Sequence, residues 1–436
     1  MNTTESTTRP GRGELEKMLS DARDRHAAFR DAGLALDLTR GKPAADQLDL
    51  ANALDGILDG DFRAEDGTDV RNYGGLLGLP EARRLGAELL AITPEQVIAG
   101  GNSSLTLMYL LLETAHLFGL GGRQAWREEA QAAGRPVVVL CPVPGYDRHF
   151  AVCESLGIEL RTIPIGDEGP DMDAAEAAVA ADPLVKGIWC VPKYSNPTGC
   201  VYSDAVVERL AALPAHAGEG FLVLWDNAYA VHDLDAEPPR LASLMAAAER
   251  AGTADGIAMF ASTSKITWAG GGIAFAGFSR ANLDSFQARL GNLMIGPDKV
   301  NQLRHARLIP DLATLHAHMS AQADIIRPKF EAVESALQAG FGNTTLLRWT
   351  RPRGGYFVSV DTHPGIATEV VRLAGEAGVK LTPAGATFPY GQDPQDRNIR
   401  IAPTFPPLQD VRSAMEVFVN AVRLATAKKL LEEDSL

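Results

Sequence analysis

The sequence predicts an α/β protein built around a mostly parallel β-sheet with helices on both faces. From about residue 80 to residue 280, short apolar runs alternate with stretches of helical periodicity. The runs are continuously apolar, as in strands that are buried on both faces of a parallel sheet. Most runs end in turn or polar residues, and ligands of such sheets gather at the carboxyl ends of the strands.

The individual elements follow from local signals. An amphipathic helix is predicted from Glu14 to about Ala32, where apolar residues recur at helical spacing. The stretch "LALDLTRGKP" predicts a short strand with a Gly–Pro stop. Pro80 indicates the first turn of a helix, and Leu105 to Phe118 is apolar enough to form a buried one. Strands of the sheet are predicted in "RPVVVLCPVPGY", "GIELRTIPI", "VKGIWCVPKY", "GFLVLWDNAY", "GIAMFASTSK" and "GIAFAGFS".

The C-terminal part of the chain mixes helices with a few strands. A helical pattern runs from about Asp298 to Ala339, and Pro310 and Pro328 are expected to break it. Two strands are predicted in "GGYFVSVD" and "RNIRIAP". Further helices are predicted over Thr368 to Ala377 and Leu408 to Leu431.

Composition bounds the class of protein. A chain of 436 residues is expected to form one large domain and a smaller one. The net charge is 41 − 55 = −14, which disfavours a nucleic-acid partner because phosphate binding needs a basic face. No apolar signal-peptide core and no run of about eighteen apolar residues is visible, so neither export nor a membrane span is expected. The four cysteines are far apart, which favours reduced thiols in a cytoplasmic protein over a metal site.

One lysine stands in an unusual setting, the stretch "FASTSKITWAGGG". A lysine after an apolar strand ordinarily reaches for solvent, but hydroxyl groups precede Lys265 and glycines follow it. This combination indicates a lysine that is kept inside a site. Polar side chains also follow the neighbouring predicted strands: Tyr146, Asn196, Asp226, Tyr229, Ser262 and Ser264.

Eight stretches, in order, resemble the class I, fold-type I aminotransferases that depend on pyridoxal phosphate: "DLTRGKP", "RNYGGLLGLPEAR", "GGNSSL", "PVPGYDRHF", "KYSNPTG", "WDNAY", "STSK" and "RIAP". The resemblance extends from about Asp37 to about Val422 and is strongest to divergent bacterial aspartate aminotransferases, a subgroup sometimes called MocR-like. It implies a large domain at about residues 51–325 with a mainly parallel seven-stranded sheet. A smaller α/β domain combines residues 1–50 with residues 326–436.

The resemblance assigns roles around the cofactor ring. The cofactor's aldehyde needs a primary amine that later moves protons at the substrate's α-carbon, and Lys265 fits this role. Asp226 is placed to keep the ring nitrogen protonated through a charge-assisted hydrogen bond. Tyr229 and Asn196 are expected to hydrogen-bond the ring's phenolic oxygen, and Tyr146 to stack on the ring. We therefore predict Lys265, Asp226 and Tyr229 as the catalytic residues.

The resemblance also implies a phosphate site at the start of a helix. A phosphate dianion binds well to backbone N–H groups and hydroxyls at a helix N-terminus. Tyr73 matches the residue that, in this family, reaches the phosphate of the neighbouring subunit, so a homodimer is expected. The predicted phosphate ligands are Asn102, Ser103, Ser104, Ser262, Ser264 and Tyr73.

Substrate binding is expected around Arg400, which matches the arginine that holds the α-carboxylate in bidentate geometry. The backbone of Gly41 is expected to approach the same carboxylate, with Asn196 nearby. One position departs from the family, because Ile273 stands where a phosphate-binding arginine is usual. We expect backbone N–H groups of Gly270–Gly272, or a cation from elsewhere, to replace it.

The cation for a distal substrate carboxylate is the least defined part of the site. Five residues are candidates, and the loop that carries Arg40 and Lys42 is favoured because it flanks Gly41. The candidates are Arg40, Lys42, Arg148, His149 and Lys193.

The predicted reaction is transamination, with L-aspartate and 2-oxoglutarate giving oxaloacetate and L-glutamate. This substrate pair is implied by the resemblance alone. An aminotransferase for aromatic, kynurenine or 2-aminoadipate substrates, or a β-lyase, would share every residue named so far. An amino-acid-sensing regulator domain is a further alternative, but only about 36 residues precede "DLTRGKP", too few for a winged-helix module.

Overall fold

A computed structural model describes residues 10–435 of the chain. The helices are α1 (Arg12–Asp31), α2 (Ala45–Asp49), α3 (Pro80–Leu90), α4 (Ser104–Leu117), α5 (Trp126–Ala133), α6 (Asp147–Ser155), α7 (Met172–Ala181), α8 (Asp204–Ala212), α9 (Leu244–Ala251), α10 (Arg280–Leu290), α11 (Lys299–Leu308), α12 (Leu312–Phe341), α13 (Ala367–Glu376) and α14 (Leu408–Glu433). The strands are β1 (Leu36–Asp37), β2 (Val97–Ala99), β3 (Val138–Val143), β4 (Glu159–Gly166), β5 (Gly169–Pro170), β6 (Val185–Cys190), β7 (Leu222–Asp226), β8 (Ile257–Ser262), β9 (Ala274–Phe278), β10 (Arg348–Trp349), β11 (Val358–Asp361), β12 (Val379–Lys380) and β13 (Asn398–Ile401).

The large sheet has the strand order β2-β9-β8-β7-β6-β3-β4-β5. Strands β8, β7, β6, β3 and β4 are parallel, and β9 runs antiparallel to both β2 and β8. The two-residue β5 is a short antiparallel hairpin partner of β4 at the edge of the sheet. The seven expected strands are therefore present, with β5 as an eighth that is too short to leave an apolar run. This architecture confirms the predicted α/β fold with a mainly parallel sheet.

The apolar runs became strands because both faces of the sheet are covered. All residues of β6, β7 and β9 are buried, so these strands carry no alternation of polar and apolar side chains. Two apolar cores lie on opposite faces of the sheet, one including Leu140 and Trp225 and the other including Val139 and Leu224. Because β3, β6, β7 and β8 are parallel, their carboxyl ends lie along one edge, and the loops after them form one wall of the site.

A second group of elements surrounds a separate apolar core. It includes the antiparallel sheet β10-β11-β13 and the parallel pair β1-β12. Helices α1, α12 and α13 pack against α14 here, so the N-terminal helix joins the C-terminal part of the chain. Helix α12 spans both cores, with Leu315 in the core of the large sheet and Phe330 in the second core. The domain boundaries near residues 50 and 325 remain predictions.

Pro310 lies between α11 and α12, as expected, but the predicted break at Pro328 is wrong. Helix α12 continues through Pro328 to Phe341. A proline inside a helix removes one backbone hydrogen bond, which packing of the flanking residues can offset. Ile326 and Phe330 on either side are buried in the second core, and this burial holds the helix together. Among residues 10–435, no helix has the length and apolarity needed to cross a membrane.

Candidate active site

A cavity of about 590 Å³ lies where the loops at the carboxyl edge of the large sheet meet the second group of elements. Its walls come from the loop after β1, the start of α4, the start of α6, the ends of β7 and β8, and the segments around Phe357 and Arg400. The predicted site residues that line it are Arg40, Gly41, Ser104, Tyr146, Asn196, Asp226, Tyr229, Ser262, Lys265 and Arg400. The fold thus brings together side chains that are up to 360 residues apart in the sequence.

Lys265 lies three residues after β8, in the tight turn that leads to the glycine run. Its Nζ atom is 5.0 Å from the centre of the Tyr229 ring. Burial lowers the pKa of the Lys265 amine, although the nearby Asp226 carboxylate acts in the opposite direction. A lowered pKa increases the fraction of uncharged amine, which is the nucleophilic form. Burial also raises the pKa of Tyr229 well above its usual value, so this phenol remains a hydrogen-bond donor.

Asp226 ends β7 and is buried, with 3% of its surface exposed. Its Oδ2 atom is 2.9 Å from Nε2 of His149, which must donate because a carboxylate can only accept. Its Oδ1 atom is buried and has no hydrogen-bond partner among the described residues. A buried carboxylate oxygen without a partner is costly, and a protonated ring nitrogen of a bound cofactor would satisfy it. The residues therefore fit pyridoxal phosphate at this end of the cavity.

His149 was considered above for a distal carboxylate, and the structure places it elsewhere. Its ring stacks on Trp189 with the ring centres 4.0 Å apart and the planes 5° from parallel. It also meets Tyr146 edge-on at 4.9 Å. Tyr146 and His149 are three residues apart at the start of α6, a spacing that puts two side chains on one face of a helix. That spacing is the sequence signal that could have grouped His149 with the cofactor residues.

The expected phosphate ligands divide into two sets. Ser104 and Ser262 line the cavity, at the first residue of α4 and the last residue of β8. Ser103 is the N-cap of α4, and its Oγ atom accepts a hydrogen bond of 3.4 Å from the N–H of Thr106. The first N–H groups of a helix lack partners within the helix, so the start of α4 offers donors to an anion.

Asn102 and Ser264 do not line the cavity but tie the start of α4 to the glycine run. Asn102 donates through Nδ2 to the carbonyl of Gly270 at 3.1 Å. Ser264 donates through Oγ to the carbonyl of Asn102 at 3.2 Å. Both residues therefore connect the loop before α4 to the loop after β8, and direct contact with a phosphate remains a prediction.

The carbonyl groups of the glycine run accept hydrogen bonds from side chains of neighbouring elements. Asn301 of α11 donates to the carbonyls of Gly271 and Gly272 at 2.9 and 3.0 Å. Ile273 is buried, and its N–H donates to Oγ1 of Thr263 at 2.9 Å. None of Gly270–Gly272 belongs to the cavity lining in the described part of the chain. Binding of a phosphate by the N–H groups of these glycines therefore stays a prediction.

Arg400 extends from β13 and is buried in the wall of the cavity. Its Nη1 atom donates to Oδ1 of Asn196 at 3.2 Å and to Oδ1 of Asp147 at 3.1 Å. Its guanidinium carbon lies 4.9 Å from the centre of the Phe357 ring. A Cβ atom at Gly41 would be only 2.3 Å from Cζ of Phe357, so no larger residue fits in this backbone without displacing the ring. Gly41 therefore leaves space for the ring that supports Arg400.

The candidates for a distal carboxylate separate by location. Arg40 and Arg148 line the cavity. Lys42 instead places its Nζ atom 3.8 Å from the centre of the Phe405 ring. Lys193 is buried, with Nζ 2.7 Å from Oδ1 of Asp233 and 3.0 Å from the carbonyl of Ala230. The structure thus leaves Arg40 and Arg148 as the candidates with access to a ligand.

Tyr73 lies outside the cavity of its own chain, and 83% of its surface is exposed. Its loop is nevertheless fixed, because Nζ of Lys299 donates to the carbonyls of Asn72 and Gly74 at 2.9 and 2.7 Å. Lys299 is itself buried at the start of α11. A fixed loop with an exposed aromatic tip is suited to contact another chain, which remains a prediction.

Comparison with known proteins agrees with this geometry. The sequence family described as "Aspartate amino-transferase" matches residues 11–434. An aspartate aminotransferase of Corynebacterium glutamicum is 43% identical over 410 residues, which are 94% of this chain and 93% of that protein. The crystal structure of an aspartate transaminase from C. glutamicum has a TM-score of 0.91 at 42% identity and covers 96% of this chain and 97% of its own. A 2-aminoadipate transaminase of Thermus thermophilus is 28% identical over 330 residues, 75% of this chain and 76% of that protein.

These matches extend over nearly the whole chain and confirm the resemblance inferred from the eight stretches. They include both the large sheet and the second group of elements, so the cavity between them is covered as well. The chain belongs to the aspartate aminotransferase family, and it is an aminotransferase.

Proposed function

We propose that this aminotransferase uses pyridoxal phosphate to convert L-aspartate and 2-oxoglutarate into oxaloacetate and L-glutamate. One observation carries the proposal: Lys265 and Asp226 line one cavity, and a buried carboxylate oxygen of Asp226 has no partner within residues 10–435. Pyridoxal phosphate needs an amine near its aldehyde carbon and an anion near its ring nitrogen. Lys265, whose amine has a lowered pKa, and Asp226 supply these two groups.

When bound, pyridoxal phosphate supplies an aldehyde carbon that takes up the amino group and a protonated ring that withdraws electrons. Asp226 holds the proton on the ring nitrogen, and His149 holds Asp226 in place. With the cofactor bound, the Lys265 amine would act as the base that takes the proton from the substrate's α-carbon and as the acid that returns it to the cofactor's aldehyde carbon. Tyr229 donates a hydrogen bond to the ring's phenolic oxygen, which its raised pKa favours. The start of α4, with Ser104 and Ser262, binds the phosphate.

Arg400 is proposed to bind the α-carboxylate, since a guanidinium can pair with both oxygens at once. It is oriented by Asn196 and by the Phe357 ring. Arg40 and Arg148 are proposed for the distal carboxylate, because both line the cavity. The names of the C. glutamicum relatives support aspartate as the amino donor. The match to a 2-aminoadipate transaminase keeps a longer dicarboxylic donor as the second candidate.

We also propose that the active enzyme is a homodimer in the cytoplasm. Exposed apolar side chains near the Tyr73 loop support a contact with a second copy, since Leu293 and Ile295 are 47% and 66% exposed. Tyr73 is proposed to complete the phosphate site of that copy. Cys141, Cys153 and Cys190 are free and buried, which suits a reducing compartment.

Absorbance and turnover test the function together. Purified wild-type protein supplied with pyridoxal phosphate is expected to show a visible band that changes on addition of aspartate, and to release oxaloacetate with 2-oxoglutarate as acceptor. Lys265→Ala is expected to lose the band and the turnover. Continued turnover of aspartate by Lys265→Ala would reject the role of this lysine. Faster turnover of 2-aminoadipate than of aspartate in a panel of donors would instead favour the second candidate.

A further inference from the structure

Arg400 is already paired within this chain by a carboxylate that the proposed function does not use. Oδ1 of Asp147 lies 3.1 Å from Nη1 of Arg400. The Arg400 side chain is 8% exposed and the Asp147 side chain 35%, so the arginine is enclosed while the carboxylate faces the cavity. Nε of Arg400 is buried and has no partner among residues 10–435. The Arg400 guanidinium therefore binds the Asp147 carboxylate and still has N–H groups that could donate to a substrate carboxylate.

A buried guanidinium is costly when no anion neutralises it, so Arg400 needs a partner both with and without substrate. Asn196 supplies only a neutral acceptor. A substrate carboxylate that forms a bidentate pair with Arg400 would stand beside Asp147, and two carboxylates this close repel each other. The substrate carboxylate and Asp147 therefore compete for Arg400.

The neighbourhood of Asp147 offers it a second position. Nε of Arg148 is 4.0 Å from its Oδ2 atom, and the Arg148 side chain is 58% exposed at the rim of the cavity, so Arg148 can hold Asp147 while Arg40 takes the distal carboxylate of the substrate. Asp147 is also the first residue of α6, where the free N–H groups of the helix start favour a negative charge. The carboxylate can thus rotate away from Arg400 without losing all favourable contacts.

We propose that Asp147 is an internal competitor of the substrate's carboxylate, neutralising Arg400 in the free enzyme and being displaced from it when the substrate binds. The inference rests on the proposed role of Arg400 in the function above. Asp147 then sets affinity and selectivity together, because only an anionic ligand can replace it on Arg400. An uncharged analogue of the substrate cannot displace Asp147 from Arg400, so it does not gain the ion pair with this arginine.

The sign of the change in affinity tests this proposal. Succinate, a dicarboxylate that cannot be transaminated, is titrated into the holoenzyme by calorimetry. Asp147→Asn keeps the shape of the side chain and removes its charge, so succinate is expected to bind roughly fivefold tighter, about the value of one partly exposed ion pair. Asp147→Ala is expected to bind succinate more tightly as well. Asp61→Asn is the matched control, since Asp61 pairs with Arg307 at 2.6 Å outside the cavity, and it should bind like the wild type.

Weaker or unchanged binding by Asp147→Asn would overturn the proposal. Weaker binding by Asp147→Ala would do the same, because it would mean that Asp147 stays on Arg400 and orients it for the substrate. Turnover of aspartate by the wild type is measured separately. A wild type that turns over aspartate while Asp147→Asn gains no affinity refutes only the inference, whereas a wild type without turnover refutes the proposed function.

Discussion

Nε2 of His149 lies 2.9 Å from Oδ2 of Asp226, and both side chains are buried. The two residues come from different elements, His149 from the first turn of α6 and Asp226 from the end of β7. Trp189 of β6 stacks on the imidazole and fixes the plane of the ring. His149, itself held by Trp189, thus orients the carboxylate, and Oδ1 accepts no hydrogen bond from the part of the chain that the structure describes.

The first prediction concerns this pair. His149→Phe keeps a flat ring against Trp189 but removes the hydrogen bond to Asp226. A hydrogen bond to a charged group is worth about 1.5–3 kcal/mol, so kcat/KM for aspartate is expected to fall roughly 10- to 100-fold. Retention of pyridoxal phosphate on dialysis should also decrease. His26→Phe is the control, because His26 faces Glu376 at 3.4 Å between helices distant from the cavity. Equal turnover in the two variants would contradict a role for His149 in placing Asp226.

The second prediction concerns the space at Gly41. In Gly41→Ala the new Cβ atom would stand 2.3 Å from Cζ of Phe357, so the ring must move and Arg400 loses its support. Overpacking of this kind lowers the free energy of unfolding by about 1–3 kcal/mol. Because Arg400 loses its support, kcat/KM for aspartate is also expected to fall roughly tenfold, mainly through a higher KM.

Relief of the clash provides the check on Gly41. Gly41→Ala combined with Phe357→Leu should recover part of the lost affinity for succinate, because the smaller side chain leaves room for the methyl group. Gly13→Ala serves as the control, since among residues 10–435 its added Cβ meets no atom within 4 Å beyond its chain neighbours and its own helix backbone. A double variant no better than Gly41→Ala would mean that the ring is not the obstacle.

The third prediction concerns pH. Burial, together with the nearby charge of Lys265, lowers the pKa of His232 from 6.5 to about 3. His232 is then neutral in the folded chain but takes up a proton in the unfolded chain below pH 6.5. Its contribution to stability is therefore complete above pH 6.5 and is lost as the pH falls toward 3, by at most about 1.4 kcal/mol per pH unit.

Unfolding in urea at pH 7 and pH 5 measures this contribution. His232→Gln cannot take up the proton, so its unfolding midpoint should fall less between the two pH values than that of the wild type. His363→Gln, a substitution at a partly exposed histidine, should follow the wild type. Parallel losses in wild type and His232→Gln would show that other groups dominate the acid sensitivity.

The fourth prediction concerns Tyr73, which is expected to act on the phosphate site of a second copy. Tyr73→Ala and Lys265→Ala are each expected to lose activity, the former through weaker retention of the cofactor. If each site combines Lys265 of one chain with Tyr73 of its partner, a mixed dimer contains one intact site. Unfolding and refolding the two variants together should therefore give more activity than either variant alone. No gain, with mixed dimers demonstrated by differential tags, would place Tyr73 outside the partner's site.

Much of the fold could be predicted because it depends on local patterns. Continuous apolar runs identify buried parallel strands, and the polar residues after them lie at one edge whatever the lengths of the connecting helices. This is why the sequence alone predicts that Asn196, Asp226, Ser262 and Lys265 lie close together. Pro328 shows the limit of local rules, because burial of Ile326 and Phe330 outweighs the missing hydrogen bond.

The apolar runs and motifs of the sequence are enough to locate the strands, to order the polar residues at their ends and to recognise the family. The contacts between side chains come from the folded chain: His149 with Asp226, Asp147 with Arg400, and Phe357 against Gly41. The difference lies in the distance along the chain over which each signal acts. Periodicity and turn signals act over a few neighbouring residues, whereas a hydrogen bond between α6 and β13 depends on how every intervening element packs. The partner of a charged group is therefore chosen by the fold.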